Sequence, residues 1–285
     1  MIRLILTSIL ALAMLSCNRE KTGSTDSDTI YVTITPLRSI VEEITCGDFS
    51  VEVLVPKGAS PETFEPTPRH LTLLNNAQLL FKVGLIDFEH SLTQNIGNST
   101  KVIDLSQGIT PMEGSCSHHH CQHHHGIDPH IWTAPRSLRT MAQNIRNAVM
   151  EIYPDSTKYD RAAQQLIERI EMLDAHCAER IAAAEVKAMM IYHPAYTYYA
   201  QDYGIEQIAI EQDGKEPTPK QLIALLEDIK SKNISTIFYQ PQYSEDKLRS
   251  IADQANVDIV VSDPLSEDIM AEIERITTLI CKDDE

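Results

Sequence analysis

Residues Asp155 to Val186 read DSTKYDRAAQQLIERIEMLDAHCAERIAAAEV. Tyr159, Ala162, Ala163, Leu166, Ile170, Leu173, Cys177, Ile181 and Ala184 recur at spacings of mostly three and four, the apolar stripe of one amphipathic helix. No Gly or Pro interrupts it after Pro154. A helix of about 30 residues runs roughly 45 Å at 1.5 Å per residue, the length of a whole domain. It therefore reads as a beam between two halves.

The sequence on either side of the beam has the same rhythm. Before it, apolar runs at Thr29–Thr35, Val51–Val55, Gln78–Val83 and Lys101–Leu105 alternate with helical stretches at Ser39–Cys46, Pro68–Ala77, Asp87–Asn95 and Pro135–Tyr153. After it, runs at Lys187–Tyr192, Ile205–Ile210, Thr236–Tyr239 and Asp258–Val261 alternate with helical stretches at Pro194–Tyr203, from Thr218, at Glu245–Ala255 and at Glu267–Cys281. Repeated strand–helix alternation gives parallel sheets covered by helices. The predicted fold is α/β: an N-terminal lobe over 29–153, a rigid connecting helix over 154–186 and a similar C-terminal lobe over 187–285. In open-sheet folds a ligand sits beyond the carboxyl ends of the strands, here in the cleft between lobes.

The first sixteen residues carry Arg3 and a short apolar core, Leu4 to Leu15, too short for a mature membrane span. They read as a signal peptide. Met14-Leu15-Ser16-Cys17 resembles a bacterial lipobox, with Met14 where leucine is usual, so Cys17 is the expected lipidation site and 17–28 a polar tether to the membrane. Of the remaining five cysteines, Cys116 and Cys121 flank His118-His119-His120 and either pair or join in metal capture. Cys46, Cys177 and Cys281 read as small buried hydrophobes. The net charge of -17 argues against a nucleic-acid partner and suits a protein that handles cations.

Two kinds of metal chemistry are visible. Within the loop 116–125, the six histidines His118, His119, His120, His123, His124 and His125 read as a loose collecting arm. A more ordered set falls at strand ends: Glu62 and Glu65 after the second strand, Asp128 and His130 after the fourth, His193 after Lys187–Tyr192, and Asp263 after Asp258–Val261. A closed zinc site needs about four such N and O donors. A zinc hydrolase, with Glu65 as base, is the alternative of another class. The sequence has no HExxH helix and no nucleophile elbow to support it.

Six motifs in order carry a family resemblance: Pro56 to Pro68 (PKGASPETFEPTP), Gly126 to Trp132 (GIDPHIW), His193-Pro194-Ala195-Tyr196, Glu216-Pro217-Thr218-Pro219, Gln240-Pro241-Gln242 and Asp263-Pro264-Leu265. Over essentially its mature length the chain resembles the solute-binding lipoproteins of zinc and manganese ABC importers. The resemblance implies a lipid-anchored, monomeric binding protein in the periplasm or on the extracytoplasmic face. It would not be an enzyme, and it would pass Zn2+, with Mn2+ the lesser candidate, to an importer permease in the cytoplasmic membrane. It assigns His130, His193 and Asp263 as ligands. Glu62 stands where the family usually has histidine. It is either an oxygen ligand or it leaves a position for water or a loop histidine. Asp128 then backs His130 or caps Pro129, Glu65 supports the site from behind Glu62, and Trp132 packs. Gln240 replaces a common glutamate. The histidine tract corresponds to the family's zinc-associated insertion. A rigid connecting helix would restrain hinge closure, leaving release to local loop movement and docking on the permease.

Overall fold

The computed structural model describes residues 29–114, 126–211, 215 and 217–281. The signal peptide expected at 1–16, Cys17 with the tether to residue 28, and His118, His119, His120, His123, His124 and His125 with Cys116 and Cys121 lie outside the described residues.

Two four-stranded sheets form, one on each side of the long helix. Strands β1 (Thr29–Val32), β2 (Ser50–Val53), β3 (Leu79–Lys82) and β4 (Lys101–Asp104) pair in parallel in the order β2-β1-β3-β4. Strands β5 (Ala188–Ile191), β6 (Glu206–Ala209), β7 (Thr236–Tyr239) and β8 (Asp258–Val261) repeat that order as β6-β5-β7-β8. In each sheet the order reverses beside the first strand, which is where such sheets open a binding crevice.

Helices α1 (Thr35–Ile44), α2 (Pro68–Leu74), α3 (Asp87–Gln94) and α4 (Pro135–Ile152) belong to the first half. Helices α6 (Thr197–Tyr203), α7 (Pro219–Ser231), α8 (Asp246–Ala255) and α9 (Ile269–Cys281) belong to the second. Proline stands in the first turn of α1, α2, α4 and α7, where its missing N–H costs nothing. The capping box read at Thr218 and Gln221 forms: Thr218 N–H donates to Gln221 Oε1 at 2.8 Å and Gln221 N–H returns to Thr218 Oγ1 at 3.4 Å. Helix α1 starts four residues earlier than the apolar pattern suggests. Thr35 and Pro36 open it rather than ending the strand.

The long helix α5 spans Thr157–Ala183 and buries Tyr159, Ala163, Leu166, Ile170, Leu173, Cys177 and Ile181. Its 27 residues span about 40 Å. It stops where Glu185 turns left-handed (φ 51°) and the Val186 and Glu185 N–H groups cap the Ile181 and Ala182 carbonyls. One continuous core runs from the first sheet through α4 and α5 to Met189 and Ile191 of β5 and to Ile269, Ile273 and Ile276 of α9. The alternate residues of β5, Ala188 and Met190, face a smaller core with Ile208, Leu225, Ile229 and Ile251. Strand β5 is thus buried on both faces, as central parallel strands are.

The lobes are stitched across the cleft as well as by α5. Trp132 Nε1–H donates to the Pro264 carbonyl at 2.7 Å, Thr133 Oγ1–H to Ala195 O at 2.8 Å, and Tyr198 O–H to Asp128 O at 2.9 Å. Trp132 is 1% exposed and packs, as read. Of the cysteines read as buried, Cys177 and Cys281 are. Cys46 is exposed, because it terminates α1 in a left-handed conformation (φ 55°) at the surface.

Candidate metal centre

Glu62, His130 and His193 reach one another across the cleft from three strand ends. Glu62 sits in a short 3-10 turn, Pro61–Thr63, in the loop after β2. His130 follows the long connection after β4, and His193 comes two residues after β5. One ligand atom from each lies within 4.8 Å of the others. Three donors at about 2.0–2.1 Å from one ion stand roughly 3.3 Å apart, so a small contraction suffices. Among the described residues these three form the group of metal-ligating side chains so gathered.

Each imidazole is held by the nitrogen that faces away. Asp128 accepts from both the His130 N–H and His130 Nδ1–H through Oδ1, each at 2.8 Å. Pro129 between them fixes the turn that makes this double contact possible. Upstream of Asp128 a short antiparallel pinch pairs Asp128 N–H with Met112 O and Gly114 N–H with Gly126 O. In the other lobe His193 Nδ1–H meets Glu211 Oε1 at 2.8 Å. The Gln240 amide brackets the His193 peptide, accepting its N–H at 3.2 Å and donating to its carbonyl at 2.7 Å. Both rings therefore turn Nε2 inward. His193 Nε2 lies 3.4 Å from Glu62 Oε2, and the two rings meet edge to face with centroids 5.3 Å apart.

The charges respond to this geometry. Burial disfavours a charged His193, but the carboxylates of Glu211 and Glu62 on its two nitrogens outweigh it and push its pKa up to about 9. Burial alone would raise the carboxyl of Glu62; the hydrogen bond and charge of His193 overcome it and hold it below the usual range. Asp128 behaves likewise: burial raises it and His130 lowers it further. The cavity between Glu62, His130, His193, Trp132, Gln240 and Tyr243 measures about 30 Å³. A space of that size accommodates a water-sized particle such as a single ion.

Two residues read as site members stand apart from the group. Asp263 is half-buried at the end of β8, where its Oδ1 accepts the Leu265 N–H at 3.0 Å and its own N–H donates to Glu272 at 2.9 Å. Burial raises its carboxyl pKa. Its neighbours Pro264 and Leu265 line the cavity. Glu65 is exposed on the Glu62 loop. Conversely, sequence reasoning passed over Glu211. The signal was available: it falls two residues past the end of β6, the one strand end of this lobe near the cleft left unread.

Residues 30–278 match the family described as zinc-uptake complex component A, periplasmic. The chain belongs to that family. It is one of solute-binding transport components of metal ABC importers rather than of enzymes. Zinc-binding lipoprotein AdcA of Streptococcus pneumoniae is 26% identical over 276 residues, covering 93% of this chain and 55% of AdcA. The chain thus spans about half the length of that relative. A crystal structure of ZnuA matches with a TM-score of 0.79 and 28% identity, over 90% of this chain and 98% of ZnuA. A manganese-bound periplasmic metal-binding protein from Candidatus Liberibacter asiaticus matches at TM-score 0.73 and 19% identity, over 89% of this chain and all of that one, and shows the shared fold. The two-lobed architecture expected from the alternation is the family architecture.

Proposed function

We propose that this protein captures Zn2+ outside the cytoplasmic membrane and delivers it to the permease of an ABC importer. Glu62, His130 and His193 are the inner ligands, and Asp263 is the fourth, drawn in from the cavity edge. Cys17 carries the lipid, and the histidines of 118–125 act as a separate, weaker collecting arm. The observation that carries this reading is the convergence of Glu62, His130 and His193 around a space of one ion.

Two imidazoles in the set favour zinc over manganese, because the general affinity order places zinc far above manganese for nitrogen donors. Zinc binding by the AdcA relative, and zinc bound in a ZnuA deletion-mutant structure, support the same cargo. Glu65, the base such a hydrolase would need, is exposed and does not line the cavity, which weakens the hydrolase alternative. Zinc-edge X-ray absorption on the stoichiometric complex is the test. The expected shell is mixed N and O at about 2.0–2.1 Å with two imidazoles. A shell with sulfur at about 2.3 Å, or no zinc retained at one equivalent, would refute it.

A further inference from the structure

Glu211 is a buried carboxylate, 7% exposed, for which metal capture by Glu62, His130 and His193 alone gives no reason. The backbone fixes its place. The β5–β6 ladder continues past the strand, with Ile210 N–H donating to Ile191 O and Glu211 N–H donating to Tyr192 O at 3.0 Å, so Glu211 is clamped directly beside His193. Its Oε1 meets His193 Nδ1 at 2.8 Å. The peptide of His193 is meanwhile gripped on both sides by Gln240, itself 3% exposed.

We propose that Glu211 is a positioning residue for metal capture: it holds the imidazole of His193 by Nδ1 so that Nε2 is presented to the ion. This rests on the reading of His193 as a ligand. Asp128 performs the matching task for His130 from within the same turn. Glu211 performs it from a neighbouring strand 18 residues on, so the two lobes reach one arrangement by different routes. The physical basis is general. A carboxylate on the distal nitrogen fixes which nitrogen is free, locks the ring plane and makes the ligand more electron-rich. Losing it typically weakens metal binding about 10–100-fold.

The experiment compares the full mature chain with Glu211→Ala, Glu211→Gln and His193→Ala. Zinc affinity is measured by competition, and the Co2+ absorption spectrum of each is recorded. Glu211→Ala is expected to bind zinc about 10–100-fold more weakly at unchanged stoichiometry of the tight site, with a shifted Co2+ band. Glu211→Gln keeps an acceptor for Nδ1–H but not the charge, and is expected to fall between Glu211→Ala and wild type, a few-fold weaker than wild type with a smaller band shift. A residue that merely filled space would leave the Co2+ band where it is. If Glu211→Ala does not fold, the glutamine variant decides. It is expected to lose a few-fold in affinity, from the missing charge, and wild-type affinity with an unmoved band overturns the proposal. Wild-type affinity in Glu211→Ala overturns it too. If His193→Ala still binds zinc as tightly as wild type, the ligand assignment itself fails. If His193→Ala abolishes tight binding while both Glu211 variants match wild type, only the role of Glu211 falls.

Discussion

His193 lies between two carboxylates, Glu62 on Nε2 and Glu211 on Nδ1. That placement sets the pH behaviour. An unperturbed imidazole would place the loss of affinity near pH 6.5, but the flanking carboxylates raise His193 to about 9. Because the folded value lies above the unfolded one, the charged ring stabilises the metal-free fold fully below about pH 6.5, and that stabilisation is lost as pH rises through about 9. In the proposed site zinc must displace the same proton. Calorimetry at pH 7.5 in buffers of different ionisation enthalpy should therefore show about one proton released per ion, with affinity rising towards pH 9. No proton release would contradict the geometry. At this scale the sequence was legible where chemistry is local. His130 and Asp128 are two residues apart, and Pro129 between them marks a built turn. Glu211 was legible only as a strand-end carboxylate two residues past β6; its pairing with His193 was not, because strand pairing sets it and the residues around it do not encode that.

Helix α5 was legible almost in full, because its seven buried positions follow one stripe without a breaker. Its ends were not. They depend on the turn at Tyr153–Ser156 and on the left-handed Glu185, backbone choices the apolar pattern does not carry. Helix α6 shows the same limit. It begins at Thr197 rather than Pro194, since Tyr196 N–H is taken by Gln207 Oε1 at 2.6 Å and the chain from His193 stays out of the helix to face the cleft. Because α5 lies within a core shared by both sheets, damage to it should be felt everywhere. Ile170→Ala removes a fully buried side chain and is expected to cost about 2–5 kcal/mol. Unfolding should remain one transition by far-ultraviolet circular dichroism and by Trp132 fluorescence. Separate midpoints for the two probes would mean that the lobes unfold independently.

The whole molecule is two copies of one sheet topology held by a beam of about 40 Å and by hydrogen bonds across the cleft at Trp132, Thr133 and Tyr198. That architecture followed from strand–helix alternation, since strand order and site location in such sheets obey general rules. The contacts closing the cleft did not follow, because they join residues more than sixty positions apart. With its core continuous across both lobes, the molecule should take up zinc without a large domain rotation. Small-angle scattering should give the same radius of gyration with and without zinc, and a contraction of several ångströms would contradict this. The central claim is a division of labour: one built site in the cleft and a separate collecting tract at 116–125. Zinc competition titration of the chain lacking residues 116–125, alone and with His193→Ala, tests it most directly. One tight equivalent is expected in the deletion and none once His193 is also lost; a tight equivalent that disappears with the tract alone would contradict the account.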